Sequence, residues 1–160
     1  MIEWLLKKIV AKLPFRTITD PAGRPYLTRW YVYPGKPRSM GGKDDDAVTP
    51  KAPFAIFIHF FHRSDGDRDQ HNHPWDKSVA LILKGGYREE RGDYVKTYRP
   101  GMINVITKDD YHRVELLNPK KGSWSLFVAG TNVGSWGFRD SDTGEHIHWR
   151  DYLGGDNTVT

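Results

Sequence analysis

Three histidines stand at spacings suited to binding one metal ion. In His71-Asn72-His73 two imidazoles lie two residues apart, and on an extended segment that spacing points both side chains to the same face. His112 follows 39 residues later, at the head of an apolar strand. Three neutral imidazoles suit Fe(II), Ni, Cu, Zn or Mn, and a face of three ligands leaves positions open for substrate or dioxygen. Because the chain has no cysteine, any metal must be held by His, Asp or Glu.

The surroundings of this motif leave other interpretations open. His71 and His73 also fit a polar loop beside Pro74 in which both side chains cap turns. Asp76, the nearest carboxylate, lies three residues beyond His73. It is a candidate fourth ligand, a solvated turn residue, or an acceptor that fixes one imidazole tautomer, and we favour the last of these roles.

The elements that must position these histidines are short strands. Aromatic and β-branched runs separated by Gly- and Pro-containing turns predict a sandwich or a jelly-roll barrel. The predicted strands are 26–33, 54–62, 78–84, 87–90, 94–98, 103–106, 112–117, 124–129 and 146–149. No internal repeat of fixed period is evident, which disfavours a propeller or a solenoid. The pattern therefore predicts an all-β fold.

The remaining segments surround these predicted strands. Apolar residues at helical spacing predict a short amphipathic helix over residues 1–13 that packs against the barrel wall, with membrane-surface binding as the less favoured alternative. Residues 14–25, which contain three prolines, are predicted to be a loop. Residues 34–50, rich in Gly, Pro and charge, are predicted to be a flexible surface loop or a lid. At 160 residues the chain is expected to form a single domain, 1–160.

The charge pattern is not that of a nucleic-acid-binding protein. Lys and Arg exceed Asp and Glu by 24 to 20, with both signs scattered along the chain, whereas nucleic-acid binders usually concentrate basic residues on one face. No apolar stretch approaches the roughly 20 residues needed to span a bilayer, and the N-terminal segment lacks the cleavage site of a signal peptide. The absence of cysteine fits a reducing compartment. We therefore expect a cytoplasmic protein with no nucleic-acid partner and no membrane partner.

Two segments resemble the paired motifs of the cupin superfamily. His71-x-His73, the strand that follows and Lys84-Gly85-Gly86-Tyr87 resemble the first motif. Arg99-Pro100-Gly101, followed after ten residues by His112, resembles the second. Together they cover residues 71–117, about a third of the chain. The resemblance implies a cupin-type jelly-roll β-barrel, a metal bound by the three histidines and a homodimer.

One branch of the superfamily fits this ligand set. Metal-binding cupins usually carry a glutamate five positions after the second histidine, and Ser78 stands there instead. Thiol dioxygenases, cupins whose iron is held by three histidines, also lack that glutamate, and they share Gly85 and the stretch 112–115, HRVE. Thr28-Arg29 resembles the segment whose arginine holds their substrate carboxylate. Their catalytic His and Tyr are absent from the comparable stretch 125–129. The chain also resembles small cupin proteins encoded by phages and bacteria.

Several other residues are candidates for substrate binding. An inward-pointing arginine on a strand is costly unless it meets a carboxylate or a phosphate, which makes Arg29 and Arg113 candidate sites for an anionic small molecule. His59 and His62 face opposite sides of a predicted strand, so at most one of them lines the cavity. The candidates for substrate binding are Arg29, Tyr87, Arg113, His59 and His148.

Two further groups of residues are weaker candidates for binding sites. His146-Ile147-His148 repeats the same-face spacing of the first motif and is a candidate second metal site, although no third ligand accompanies it in sequence. The charged residues of 63–69 are interpreted as a solvated, self-paired turn rather than an anion-binding site.

The leading functional hypothesis is a non-haem Fe(II) oxygenase acting on a small polar or anionic substrate. Ni, Mn, Zn or Cu are alternative metals, and Asp76 or Tyr87 is a candidate proton carrier. A second hypothesis is a non-enzymatic cupin that binds or sequesters a nucleotide-like or sugar-like ligand. A third is a metal-free sugar-nucleotide isomerase or epimerase that uses a His–Tyr pair. The sequence identifies no catalytic residue.

Overall fold

The computed structural model describes residues 1–19, 22–34, 53–66 and 69–152. Two helices and twelve strands lie in these ranges. The elements are α1 (Ile2–Val10), β1 (Phe15–Thr19), β2 (Pro25–Tyr33), β3 (Ala55–Phe61), β4 (Gln70–His71), β5 (Lys77–Lys84), β6 (Tyr87–Arg91), β7 (Tyr94–Tyr98), β8 (Ile103–Thr107), β9 (His112–Leu116), β10 (Ser123–Ala129), β11 (Gly137–Arg139), β12 (His146–His148) and α2 (Trp149–Tyr152).

The strands form two six-stranded antiparallel sheets. One has the order β1-β2-β3-β10-β5-β8 and the other the order β12-β11-β4-β9-β6-β7. Ile82 of the first sheet belongs to the same core cluster as Tyr87 and Val114 of the second. Because residues of both sheets share one core, the sheets pack face to face, as the all-β prediction requires.

Residues alternate between the two faces of the first sheet. On β5, Ser78, Ala80 and Ile82 are buried between the sheets, and the residues between them are less buried. A period of two places alternate side chains on one face, so β5 and its neighbour β10 line the interior with small and aromatic side chains. Phe127 of β10 packs there against Phe57 of β3, with ring centroids 6.4 Å apart.

Helix α1 covers part of the outer face of the first sheet. Leu6 and Val10 are each 6% exposed and belong to a cluster with Ile58 and Trp124. These two sheet residues alternate with the inward residues His59 and Ser125, so the helix lies outside the barrel. The predicted packing of this helix against the barrel wall is confirmed.

Three strands were not predicted. Residues Phe15–Thr19 lie in the predicted loop 14–25 but form β1, because this β-branched segment pairs along its length with β2. The short strands β4 and β11 were also missed, since two or three residues carry no alternation to recognise. The predicted loop of residues 34–50 lies, apart from Pro34, outside the described residues. Within the described part of the chain, no helix is long and apolar enough to cross a membrane.

Candidate metal centre

His71, His73 and His112 converge at one point between the sheets. One nitrogen from each imidazole lies within 4.8 Å of the others, and no other group of three His, Cys, Asp or Glu side chains among the described residues is arranged in this way. The Nε2 atoms of His73 and His112 are 2.8 Å apart. The ring centroids of His71 and His112 are 4.8 Å apart.

Strand pairing and one amide side chain place the three rings. His71 on β4 is directly opposite His112 on β9, so the antiparallel pair sets these two imidazoles side by side. Asn72 points away from them, accepting a hydrogen bond from Gly137 N (2.9 Å) and donating one to Lys108 O (2.9 Å). Because both ends of its amide are bound, Asn72 holds the segment between its two histidine neighbours in place.

A carboxylate determines the orientation of the His112 ring. Nδ1 of His112 donates to Oε1 of Glu89 over 2.6 Å, and both side chains are buried. Burial raises the pKa of Glu89, but the hydrogen bond and electrostatic attraction from the His112 ring, the hydrogen bond from Asn104 and the charge of Arg91 outweigh it, so the pKa lies below its usual value. Glu89 is therefore ionised at neutral pH and accepts the Nδ1 proton, which leaves Nε2 of His112 to face the cluster.

A second carboxylate stands behind His71. Asp65 Oδ2 is 3.9 Å from His71 Nδ1 and accepts a hydrogen bond from Val114 N (2.6 Å), while Tyr26 donates its hydroxyl to Oδ1. The Asp65 side chain is only 5% exposed. The interpretation of residues 63–69 as a solvated turn is therefore wrong for Asp65. Its side chain is buried, accepts a hydrogen bond from the backbone of β9 and lies next to the ring of His71.

Loss of hydration keeps the imidazoles of His71 and His73 neutral. Loss of hydration lowers the pKa of His71 to about 4, against a smaller opposing effect of Asp65. Burial, reinforced by the neighbouring His112, His71 and Arg29, holds the pKa of His73 well below its usual value. Neutral imidazoles are the form that binds transition metals.

The donor set fits one divalent ion. Two nitrogens bound about 2.1 Å from one metal at a right angle lie about 3.0 Å apart, close to the 2.8 Å between the His73 and His112 Nε2 atoms. Three nitrogens without a carboxylate in the group match metals that prefer imidazole. The three histidines thus form a site that can hold a divalent metal.

Aromatic and basic side chains line the wall next to His73. Trp75 stacks on the His73 ring at a centroid distance of 5.6 Å. The guanidinium carbon of Arg29 lies 5.6 Å from the centroid of Trp75 and 4.8 Å from that of Phe57. Arg29 Nε donates to His59 Nε2 over 2.9 Å. Burial, followed by this guanidinium, lowers the pKa of His59 well below its usual value, so a fixed positive charge and a neutral histidine share this wall.

A pocket of about 250 Å³ opens beside His73. Its lining is mostly polar and includes Lys108, Asp109 and Ser135. At its rim the hydroxyl of Tyr111 and Nδ1 of His146 are 2.7 Å apart. A small polar molecule bound in this pocket would contact His73, one of the three cluster histidines.

The remaining candidate residues lie outside the three-histidine cluster. Asp76 is exposed and accepts a hydrogen bond from the next backbone nitrogen, Lys77 N, over 2.6 Å. Tyr87 is buried on the same face as Glu89, where its hydroxyl accepts from Asn104 Nδ2 over 3.2 Å. Burial raises the pKa of Tyr87.

Arg113 and His148 are also not members of the cluster. Arg113 follows an inward histidine on β9 and therefore faces the other side, where it binds Glu90 through Nε and Nη2. His148 lies opposite Gly137 in the β11–β12 pair, while the second histidine of that motif, His146, binds Tyr111. His62 contacts Thr28 Oγ1 on the opposite side of β3 from His59, as predicted.

Sequence analysis did not identify Glu89, Asp65 or the pair Tyr111–His146. The signal available for Glu89 was the alternation of Tyr87, Glu89 and Arg91 along a strand, which puts an acidic residue on an inward face. An inward carboxylate needs a donor, but the sequence does not show which one.

No protein-family model matches the chain, and no curated protein matches it in sequence. The fold is similar to the crystal structure of FeII HppE, with a TM-score of 0.52, 9% identity, and coverage of 74% of this chain and 57% of that chain. Apo-HppE gives a TM-score of 0.50 at 9% identity, covering 75% and 55%. A cupin-2 domain containing protein from Shewanella frigidimarina gives 0.42 at 14%, covering 52% and 76%. This chain thus spans little more than half of the HppE chain.

These similarities concern the fold. The two antiparallel sheets, the short N-terminal helix and the likeness to HppE agree with the predicted architecture, which is an all-β, cupin-type jelly roll. With the three histidines gathered between its sheets, the chain combines an all-β fold similar to that of HppE with a candidate site for a divalent metal.

Proposed function

We propose that this protein is a non-haem Fe(II) oxygenase acting on a small anionic molecule. The observation that carries the proposal is the group of three imidazoles, one buried and two half-buried, with no carboxylate among its members. Bound iron would supply open positions at which a substrate and dioxygen react. The protein contributes neutral ligands of fixed orientation, because burial lowers the pKa of His71 and His73 and Glu89 holds the ring of His112.

A structural neighbour further supports the choice of iron. HppE, whose fold this chain resembles, has a crystal structure described as an Fe(II) form. Imidazole ligands also suit zinc, copper and nickel, so the metal must be identified by measurement.

Charge and volume favour a small anion as substrate. Arg29 holds its positive charge against Trp75, which stacks on His73. A guanidinium in such a wall matches a carboxylate or a phosphate. The pocket beside His73, about 250 Å³ in volume, has room for a small molecule, and its lining includes the cation Lys108 rather than Arg29. At its rim, Tyr111 and His146 form a hydrogen-bonded pair that can carry a proton to or from a molecule in the pocket.

Metal content tests the proposal directly. Untagged protein from iron-supplemented cells should contain close to one iron per chain, and His71→Ala and His112→Ala should contain almost none. His62→Gln is the matched control, because His62 contacts Thr28 on the far side of β3 and its replacement should leave the iron in place. Oxygen uptake in the presence of small carboxylic acids should then depend on iron. A folded wild-type protein without metal would exclude this function.

The anionic substrate class is tested separately. Ligand-detected NMR with three- to five-carbon carboxylic acids should reveal weak binding to the wild type, and Arg29→Gln should weaken it about tenfold or more, as expected for loss of a charge-assisted pair. Arg113→Gln is the control, since Arg113 is occupied by Glu90 on the other face of β9. Equal affinity of the Arg29 variant would show that Arg29 does not hold the ligand.

A second candidate is a metal-independent isomerase. The hydrogen-bonded pair of Tyr111 and His146, 2.7 Å apart at the pocket rim, is the specific observation in its favour, because such a pair can move a proton between carbon positions. Under this alternative, purified protein contains no stoichiometric metal, and deuterium from solvent enters a sugar-nucleotide substrate at a rate abolished by Tyr111→Phe. Exchange that instead depends on added iron would reject it.

A further inference from the structure

Glu89 is the buried acid at the centre of the hydrogen-bond network behind the metal site. It is 1% exposed. Oε1 accepts hydrogen bonds from His112 Nδ1 at 2.6 Å and from Asn104 Nδ2 at 2.8 Å, and Oε2 accepts one from Arg91 Nη2 at 2.9 Å. Both oxygens are thus bound by donors, so the carboxylate has a single position.

The donors to Glu89 are themselves held. Asn104 is 0% exposed, and its Oδ1 accepts a second bond from Arg91 Nη2 at 3.0 Å. Arg91 Nη1 donates to Val105 O at 3.1 Å and lies 3.4 Å from Asp110 Oδ2. The donors to Glu89 thus come from three strands, Arg91 from β6, Asn104 from β8 and His112 from β9, and together they hold its buried carboxylate.

This arrangement makes His112 different from the other two histidines. Glu89 Oε2 is paired with the Arg91 guanidinium at 2.9 Å, and a carboxylate in such a pair only accepts hydrogen bonds. Nδ1 of His112 therefore carries the proton, and Nε2 presents its lone pair toward Nε2 of His73, 2.8 Å away. His71 has its nearest carboxylate, Asp65, at 3.9 Å, beyond hydrogen-bond range. His112 is therefore the ligand whose tautomer and ring angle are set before any metal arrives.

We propose that Glu89 is a positioning residue that fixes the Nδ1-protonated tautomer of His112 and thereby determines the metal affinity of the site. The inference rests on the proposed function, because it assumes that the three histidines bind a metal. Carboxylates that bind the distal nitrogen of a ligand histidine orient the ring and raise its basicity, and their loss typically weakens metal binding about 10- to 100-fold.

Neighbouring glutamates provide a matched pair of variants. Glu89→Gln keeps the size of the side chain but removes its charge. It also replaces one acceptor oxygen with an amide nitrogen, which cannot accept a hydrogen bond from the surrounding donors. Glu90→Gln makes the same change at the next residue, whose side chain faces the other side of β6 and binds Arg113. Metal-free samples of wild type and both variants would be titrated anaerobically with Fe(II) and with Co(II), whose visible absorption reports the ligand geometry.

The expected result is a loss of affinity of about tenfold or more for Glu89→Gln and a change of less than about twofold for Glu90→Gln. Nitrogen-15 NMR of the metal-free proteins provides a readout that a merely structural role would not alter. His112 should be protonated at Nδ1 in the wild type and in Glu90→Gln, and should become a mixture of tautomers in Glu89→Gln.

Two results would overturn the inference. The first is a Glu89→Gln protein that binds metal as tightly as the wild type. The second is an unchanged Nδ1 tautomer of His112 in that variant. If Glu89→Gln does not fold, Asn104→Ala, which removes one donor to the same carboxylate, should produce a smaller loss in the same direction. A wild-type protein that binds neither metal would overturn the proposed function, and the tautomer measurement on that metal-free protein would still decide whether Glu89 orients His112.

Discussion

The Nε2 atoms of His73 and His112 lie 2.8 Å apart although 39 residues separate them along the chain. His73 follows the two-residue strand β4, and His112 begins β9, which pairs with that strand. A metal bound between them would therefore connect the segment that follows β4 to the neighbouring strand β9. Metal binding and folding stability should be coupled.

Metal should stabilise the protein against unfolding. A ligand that binds only the folded state at 100 times its dissociation constant adds about 2.7 kcal/mol. The midpoint of thermal unfolding should rise when Fe(II) or Co(II) is added to metal-free wild type and should not move for His73→Ala. A similar rise in His73→Ala would mean that the metal binds elsewhere.

The metal-free protein should lose stability as the pH falls. Burial, then the charge of Arg29, lowers the pKa of His59 well below its usual value of about 6.5. The unfolded chain therefore binds this proton at a higher pH than the folded protein does. Stability is full above about pH 7 and decreases as the pH falls below about 6.5. Urea unfolding with a chelator, at several pH values between 7.5 and 4.5, measures the slope.

His59→Gln should reduce that pH dependence, since glutamine does not titrate and can still accept the hydrogen bond from Arg29. Part of the slope should remain, because the pKa of His71 is lowered to about 4 in the same direction. An identical slope in wild type and His59→Gln would contradict a neutral His59 in the folded protein.

Helix α1 should contribute to the stability of the barrel. Leu6 is 6% exposed against Ile58 and Trp124, whereas its neighbour Leu5 is 51% exposed. Truncating a buried leucine costs about 2 to 5 kcal/mol, and a surface change costs about 0.5 kcal/mol or less. Urea unfolding of Leu6→Ala and Leu5→Ala compares the two sites. Equal small losses would show that the helix is not packed on the sheet.

Gly85 should tolerate no side chain. Its φ is +82°, and a Cβ there would lie 2.3 Å from the carbonyl oxygen of Gly122. Gly92 has φ +55° and open space around it, so Gly92→Ala bears only the conformational cost of about 1 to 2 kcal/mol. Gly85→Ala should cost clearly more, because the backbone must also shift. Equal unfolding free energies for the two variants would rule out the close approach at Gly85.

Local pattern was sufficient for nine of the strands in the described residues and for the three histidines. Alternation of side chains predicted β5, β7 and β10 within one or two residues of their observed bounds, because a half-buried strand must present apolar residues on one face. Two features predicted the three histidines that the fold brings together. One is the spacing of His71 and His73, and the other is the position of His112 after a turn and at the start of an apolar strand. Strand β1 was missed because its pairing with β2 outweighs the prolines around it.

The sequence by itself therefore determined the all-β class, the positions of nine of the twelve strands in the described residues, and the three candidate ligands. Only the tertiary structure decided which side chains stand behind those ligands. Glu89 lies 23 residues from His112 and 15 from Asn104, and Arg29 lies 30 residues from His59. A strand's period tells which face a residue occupies, but its partners across the barrel depend on the order and register of strands that are distant in sequence, and those are set by the packing of the whole core.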